Sequence, residues 1–258
     1  MGVIAILAVM TYRQTEIWKS DRTLWEHAIS LDEENYVALY NRGVVSMNEG
    51  DLSGALGDFD VAIALEPLYL DAYVNRANTL TRVGRPEAAL TDYAKALEIA
   101  PDDDLVRFNR GLVLRGMGRF DDAVADLGRF LESNPDSSDA MSELGATHQL
   151  AGAPDKALFY FDRAIATDET NAYYFFRRGL LYHELGRQDL ANSDLDRALA
   201  LDPDNPNSRF NRAVVRAETG DLVGAVDDLR IILRSTTDPE EKRQLERHID
   251  NLLSAMNP

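Results

Sequence analysis

Along most of the chain, apolar side chains recur every three or four residues, in stretches of roughly 12 to 14 residues. Most stretches are closed by a glycine or a proline. Residues spaced i, i+3, i+4 and i+7 share one helical face, so the pattern predicts a series of short amphipathic helices. The whole arrangement returns with a period of 34: glycine at Gly50, Gly84, Gly118, Gly152, Gly186 and Gly220, and alanine at Ala55, Ala89, Ala123, Ala157, Ala191 and Ala225. A second small-residue column runs Gly43, Ala77, Gly111, Gly145, Gly179 and Ala213, and proline closes most units at Pro67, Pro101, Pro135 and Pro203. A first helix therefore ends at a glycine able to take positive φ. A second helix follows and carries the recurrent alanine with, four residues on, Phe59, Tyr93, Leu127, Phe161, Leu195 or Leu229. Small residues at facing positions let the two backbones approach closely, and the larger neighbours fill the groove between them. Proline stops the second helix. The predicted unit is a helical hairpin.

The order small residue, glycine turn, alanine, apolar or aromatic residue and closing proline, seen whole in Leu39 to Pro67 and in Phe175 to Pro203, resembles the tetratricopeptide repeat. The resemblance covers six units at 36–69, 70–103, 104–137, 138–171, 172–205 and 206–239. It implies an all-α, right-handed superhelical solenoid of stacked hairpins, whose concave face is lined by the first helices and holds an extended or helical peptide. Residues 15–35 read as an N-terminal half repeat, with Trp18 to Glu33 as the second helix of an incomplete unit. Residues 240–258 read as a capping helix with Leu245, Ile249, Leu252, Leu253 and Met256 on one side.

The remaining segment, 1–14, is an uncharged apolar run that ends at Thr11-Tyr12-Arg13. It is shorter than the roughly 20 residues a membrane span needs, and it lacks a basic leader and a cleavage site. Two readings stand: the end of a longer membrane helix, with Tyr12, Arg13 and Trp18 at the interface, or an apolar helix covering the end of the fold. The junction weakly resembles the entry into the repeat tail of multi-pass, glycosyltransferase-like membrane proteins. The location is accordingly open between cytoplasmic and membrane-tethered.

Charge narrows the partners. The chain of 258 residues carries 27 Lys+Arg against 44 Asp+Glu, a net charge of −17, which repels a phosphate backbone and argues against nucleic acid. There is no cysteine, hence no disulfide, thiolate site or cysteine nucleophile. His27, His148, His183 and His248 show no metal-ligand spacing, and Asp202-Pro203-Asp204-Asn205 lies where the repeat needs a helix stop and the next N-cap. No phosphate-cradling loop or nucleophile elbow is present, so neither enzyme activity nor a cofactor is expected.

One column exceeds the repeat's minimum. Arg42, Arg76, Arg110, Arg178 and Arg212 each stand 16 residues ahead of an aspartate, Asp58, Asp92, Asp126, Asp194 and Asp228, whereas the fourth unit has Leu144 and Tyr160 and loses both partners together. Joint loss predicts an ion pair between the two helices of a hairpin, because a half-buried guanidinium without its carboxylate is costly. The expected role is structural.

Positions spaced i, i+4 and i+7 along each first helix share a face, and the resemblance implies that this face lines the partner-binding groove. They are Tyr40/Val44/Met47, Val74/Asn78/Thr81, Phe108/Leu112/Arg115, Ser142/Ala146/Gln149, Phe176/Leu180/His183 and Phe210/Val214/Ala217. The face is more apolar than acidic, as a peptide's side chains require, although its aromatics also suit packing between neighbouring first helices. Asn41, Asn75, Asn109 and Asn211 follow one position later; the resemblance implies contact with a peptide backbone, against the alternative of satisfying local polar groups. The four lysines, Lys19, Lys95, Lys156 and Lys242, avoid these columns, which argues against a lysine clamp for ligand carboxylates. Phe159-Tyr160-Phe161 and Tyr173-Tyr174-Phe175-Phe176 are expected to serve denser packing, with a specialised partner or self-association patch as the alternative. The chain thus reads as a scaffold or adaptor for a peptide or protein. The accessory tail of a membrane protein and a self-assembling coat, hence a homo-oligomer, are the other readings.

Overall fold

The first helices can end where they do because glycine occupies the left-handed turn: Gly50, Gly84, Gly118, Gly152, Gly186 and Gly220 have φ between 70° and 88°. At the other ends, short polar side chains cap the free N–H groups. Asn35 accepts from Ala38 N, Asp103 from Val106 N and Asn205 from Ser208 N, each at 3.0 Å. Pro86, Pro154 and Pro206 open their helices, where a missing N–H is harmless. Glu169 stands where other units carry proline, and there Asp168 ends the helix by accepting from the backbone N–H and hydroxyl of Thr170 at 2.9 and 2.7 Å.

The structure, a computed structural model, describes residues 18–256 and contains fourteen α-helices among them. After α1 (Asp21–Leu31) come six hairpins: α2 (Tyr36–Glu49) with α3 (Leu52–Leu65), α4 (Leu70–Arg82) with α5 (Pro86–Ile99), α6 (Asp104–Gly116) with α7 (Phe120–Ser133), α8 (Ser138–Leu150) with α9 (Pro154–Thr167), α10 (Ala172–Glu184) with α11 (Gln188–Leu201), and α12 (Pro206–Glu218) with α13 (Leu222–Ser235). The last helix is α14 (Pro239–Met256). The expected helix from Trp18 begins instead at Asp21. Ser20 caps Thr23 N and Thr23 returns the bond, leaving Trp18 ahead of the helix and 64% exposed. Among the described residues no helix is long and apolar enough to cross a membrane. The apolar run at 1–14, with Tyr12 and Arg13, lies outside the described residues.

The helices form two compact units, one ending at Phe130 within α7 and the other beginning at Leu131. In the first, Leu39, Ala62, Tyr73, Ala77, Leu80, Ala89, Tyr93 and Val106 join into one core across α2 to α6. In the second, Ala146, Phe161 and Leu181 make one cluster, Ala191, Leu195 and Val215 another, and Leu229, Ile232, Leu245 and Ile249 seal α13 against α14. Each hairpin is closed the same way. The six recurrent alanines are fully buried, and the residue four positions on is at most 4% exposed. Burying a Phe or Leu there contributes roughly 1.5–3 kcal/mol apiece, provided the backbones come close enough to exclude water.

The facing small residue sets that approach. A Cβ built on Gly43 would lie 2.7 Å from Phe59, and one on Gly145 would lie 2.8 Å from Phe161, both rings fully buried. Gly57, on the same helix as Phe59, has nothing within 4 Å. We therefore expect Gly145→Ala to lower stability by about 1–3 kcal/mol through overpacking, and Gly57→Ala to raise it by up to about 1 kcal/mol through helix propensity. Thermal midpoints of the two variants measured side by side check this, and a loss of equal size in both would contradict it.

Candidate functional site

Before a face can bind anything, its helices must be held in place, and the arginine column does this. Each guanidinium reaches the aspartate of its own hairpin with a two-pronged grip: Arg42–Asp58 at 2.9 and 2.6 Å, Arg76–Asp92 at 2.8 and 2.7 Å, Arg110–Asp126 at 2.6 and 2.7 Å, Arg178–Asp194 at 2.7 Å twice, and Arg212–Asp228 at 2.8 and 2.5 Å. The five aspartates are buried, and the fork geometry makes these stronger than point-charge pairs. Hydrogen bonding to the aspartate is the main reason the Arg42, Arg76, Arg110 and Arg178 guanidinium groups hold their protons even more firmly than a free arginine. A second acid, missed when hairpins were compared only within themselves, belongs to the preceding hairpin. Asp60, Asp162 and Asp196 bond Arg76, Arg178 and Arg212 at 2.6, 2.7 and 2.6 Å. In the fourth hairpin Leu144 is fully buried, and Tyr160 stacks on the buried imidazole of His148 at 5.4 Å with an interplanar angle of 11°.

Within each unit, successive first helices touch: α2 to α4 and α4 to α6, then α8 to α10 and α10 to α12. Polar bonds reach from one first helix to the next. Asn75 donates to the Tyr40 hydroxyl at 2.8 Å, Arg82 to the Met47 carbonyl at 3.1 Å, Gln149 to Glu184 at 2.7 Å, and His183 sits 2.8 Å from Glu218. Tyr174 donates to Asp139 at 2.6 Å, and burial, then that carboxylate, pushes its phenol up to about 12. The buried Tyr93 donates to Asn78 at 2.5 Å.

Most of the expected partner-binding residues are half-buried: Tyr40, Val44, Met47, Val74, Asn78, Phe108, Leu112, Arg115, Phe176, Leu180, His183 and Val214. Phe210 is 38% exposed, whereas Ser142 and Ala146 are buried. The aromatics have ring partners inside the protein. Tyr40 meets Tyr69 at 4.9 Å, Phe108 meets Phe130 at 4.9 Å, Phe176 meets Tyr173 at 6.5 Å and Phe210 meets His248 on α14 at 6.4 Å. The more open apolar groups stand three residues earlier on the same face: Val37 at 41%, Leu105 at 68% and Tyr173 at 46% exposed. Their i, i+3 spacing from Tyr40, Phe108 and Phe176 was the signal, overlooked because the face was started one turn too late.

The asparagine column is partly engaged already. Asn41 and Asn211 donate to the carbonyls of Val37 and Asn207 in their own helices at 2.7 and 2.8 Å, and Asn75 donates to Tyr40. The aromatic runs divide. Phe161, Tyr174 and Phe175 are core, while Phe159 at 55% and Tyr173 at 46% remain exposed, each under an arginine, Arg163 or Arg177, at 5.8 Å. In the stretch at 202–205, Asp202 ends α11, and Asn205 caps α12 while donating to Asp202 at 3.0 Å. Among the described residues no cluster of three His, Asp or Glu is placed to hold a metal ion.

Comparison with known families places this geometry. Models described as tetratricopeptide repeat match residues 108–172 and 70–103, and one described as TPR repeat matches 179–220, together more than half of the chain. The chain is similar to a tetratricopeptide repeat protein from Parabacteroides merdae, with a TM-score of 0.72 at 20% identity over 94% of both chains. It is similar to pilF of Pseudomonas aeruginosa, with a TM-score of 0.66 at 19% identity, covering 84% of this chain and 98% of that one. YrrB, described as a TPR protein with an unusual peptide-binding site, gives 0.59 at 23% identity over 71% of this chain and 95% of that one. No curated protein matches the chain in sequence.

Two measurements test the framework. Asp194→Leu leaves the partly buried Arg178 without its main carboxylate and should cost about 3 kcal/mol, whereas Arg178→Leu with Asp194→Tyr, which copies the fourth hairpin, should cost less than about 1 kcal/mol, read from denaturant midpoints at unchanged slope. His148 gives a pH signature. Burial, then Lys156, lowers its proton affinity, so the folded state favours neutral imidazole. Stability should be full above the ordinary imidazole pKa of about 6.5, fall as pH drops through that value, and level off below the lowered one. His148→Phe should flatten this step, and an unchanged step would assign it elsewhere.

Proposed function

Because the chain belongs to the tetratricopeptide repeat family, we propose that it is a non-enzymatic scaffold that captures a peptide or protein partner on the face of its first helices. One observation carries the reading: in a molecule of net charge −17, each unit leaves a large apolar group open on a first helix, Leu105 in one, 68% exposed beside half-buried Phe108, and Tyr173 in the other, 46% exposed beside half-buried Phe176. Large apolar side chains left open next to a packed apolar floor are what a partner's side chains bury against.

The binding mechanism follows from the packing. Of the floor residues, Tyr40 and Phe210 are held by ring contacts, Tyr40 and the Met47 carbonyl by bonds from the next first helix, and Val44, Val74, Leu112, Leu180 and Val214 are half-buried, so the receptor loses little freedom on binding. Asn41 and Asn211 use one N–H on their own helix, and their carbonyl oxygens are the groups to accept from a peptide backbone. Asn78, Asn109, Arg115 and His183 supply further polar contacts at the edge. The solved structure of YrrB, which shares the fold and is described as a TPR protein with an unusual peptide-binding site, supports peptide capture as a use of this fold.

Peptides selected from a random library on the wild-type protein should be rich in apolar residues. They should bind a Leu105→Ser/Tyr173→Ser variant at least about tenfold more weakly, by calorimetric titration, with the thermal midpoint unchanged. Full affinity in that variant, or a library that yields no saturable binder, would refute the proposal.

A further inference from the structure

At one arginine of the column the preceding hairpin offers no acid. Arg76, Arg178 and Arg212 each meet two carboxylates: Nε and Nη2 face the aspartate 16 residues ahead, and Nη1 meets Asp60, Asp162 or Asp196, 16 residues behind. Arg42 has Glu26 at that spacing, and the charge of Glu26 acts on it. Arg110 has Ala94. Its Nε and Nη2 bond Asp126 at 2.6 and 2.7 Å, as in its counterparts, but an exposed methyl group stands where they have an acid.

The space is open. A cavity of about 380 Å³ is bounded by Leu90 and Ala94 of α5, Arg110 and Leu114 of α6, and Arg119 and Asp122 at the start of α7. One hairpin earlier, the equivalent cavity of about 300 Å³ has Asp60 in its wall beside Arg76 and Arg85. The two hollows share their arginines, since Arg119 stands 34 residues after Arg85, but place their second acid differently: the earlier one has Asp60 bonded to Arg76, whereas the later one has Asp122, which bonds Arg119 at 2.9 and 2.6 Å and reaches Arg110 through its charge.

We propose that the hollow at Ala94 is a carboxylate-binding site whose guest, an acidic side chain or a free small carboxylate, occupies the place that Asp60 holds beside Arg76. Three copies of the geometry within the molecule show what the site accepts. A planar carboxylate meets the open edge of a guanidinium whose other edge is fixed, an arrangement that favours carboxylate over a point anion. Leu90 and Leu114 give the walls an apolar surface for the methylene stem of an acidic side chain. The site uses positions of α6 other than Leu105, Phe108 and Leu112, so it stands or falls separately from the first-helix face.

The test follows the arginine side-chain Nε–Hε resonances of the full chain at constant ionic strength. The probes are malonate, a short capped peptide with one central glutamate, and the same peptide with glutamine. Malonate and the glutamate peptide should shift the Arg110 signal saturably and leave Arg76 unmoved, and the glutamine peptide should be silent. Ala94→Asp, which supplies the acid internally on an exposed position, should weaken both probes at least about tenfold. Tighter binding of the peptide than of malonate makes the guest a protein side chain, and the reverse makes it a small molecule; either upholds the site. No saturable shift up to about 50 mM probe, equal shifts at Arg76 and Arg110, or undiminished binding in a folded Ala94→Asp protein would overturn it.

Discussion

The structure depends on one steric constraint, the close approach of two helix backbones at a residue with little or no side chain. At Gly43 and Gly145 even a methyl group would collide with the ring that closes the hairpin, and at Ala77 and Ala213 the methyl is already enclosed, with both alanines at most 2% exposed. Once that distance is set, the recurrent alanine and the larger residue after it have one way to fit. The six hairpins then differ mainly in what they show to solvent. Since the contact joins residues only 16 apart, as in Gly43 and Phe59, each hairpin closes from local sequence, and the next has a finished surface to pack on.

Close packing fixes distance but not rotation or sliding, and the arginine forks supply what is missing. A bidentate pair tolerates little displacement, and Arg76, Arg178 and Arg212 hold acids from two consecutive hairpins at once, tying intrahairpin to interhairpin geometry. Buried pairs of this kind add less to stability than their number suggests, because desolvation offsets most of the attraction. Their value lies in selecting one register among several that apolar packing alone would permit. The fourth hairpin shows the exchange in the other direction, with Leu144 buried and Tyr160 stacked on His148 in place of the pair.

Much of this was legible because the chain repeats itself, so six copies of one position could be compared without any relative. Glycines at positive φ, the buried alanine column and the arginine with its own aspartate all lie at fixed offsets inside a hairpin. What escaped lies between hairpins or depends on side-chain direction. Asp60, Asp162 and Asp196 serve the following hairpin and are replaced by Ala94 in the one before Arg110, so their column looks broken when read within a unit. The pairing of His183 with Glu218, rather than with water, needed the next first helix in place. Asparagine amides can turn to their own helix or away from it, and Asn41 and Asn211 turn to the carbonyls of Val37 and Asn207 one turn earlier, which spacing cannot reveal.

The same helix therefore carries two independent sets of positions, and this is what suits the fold to recognition. On α6, Val106, Gly111, Val113 and Leu114 are buried and Arg110 is bonded to Asp126, while Leu105 is 68% exposed three residues before half-buried Phe108. Exchanging Leu105 touches none of the contacts that hold α6 to α7. The corresponding positions are Val37, Asp71, Leu105, Asp139, Tyr173 and Asn207, alternating apolar and polar along a chain whose buried columns hardly vary. Of these, Asp139 is tied to the next first helix by Tyr174, whereas Val37, Leu105 and Tyr173 stand exposed, where a side chain can change without disturbing the spacing within a hairpin.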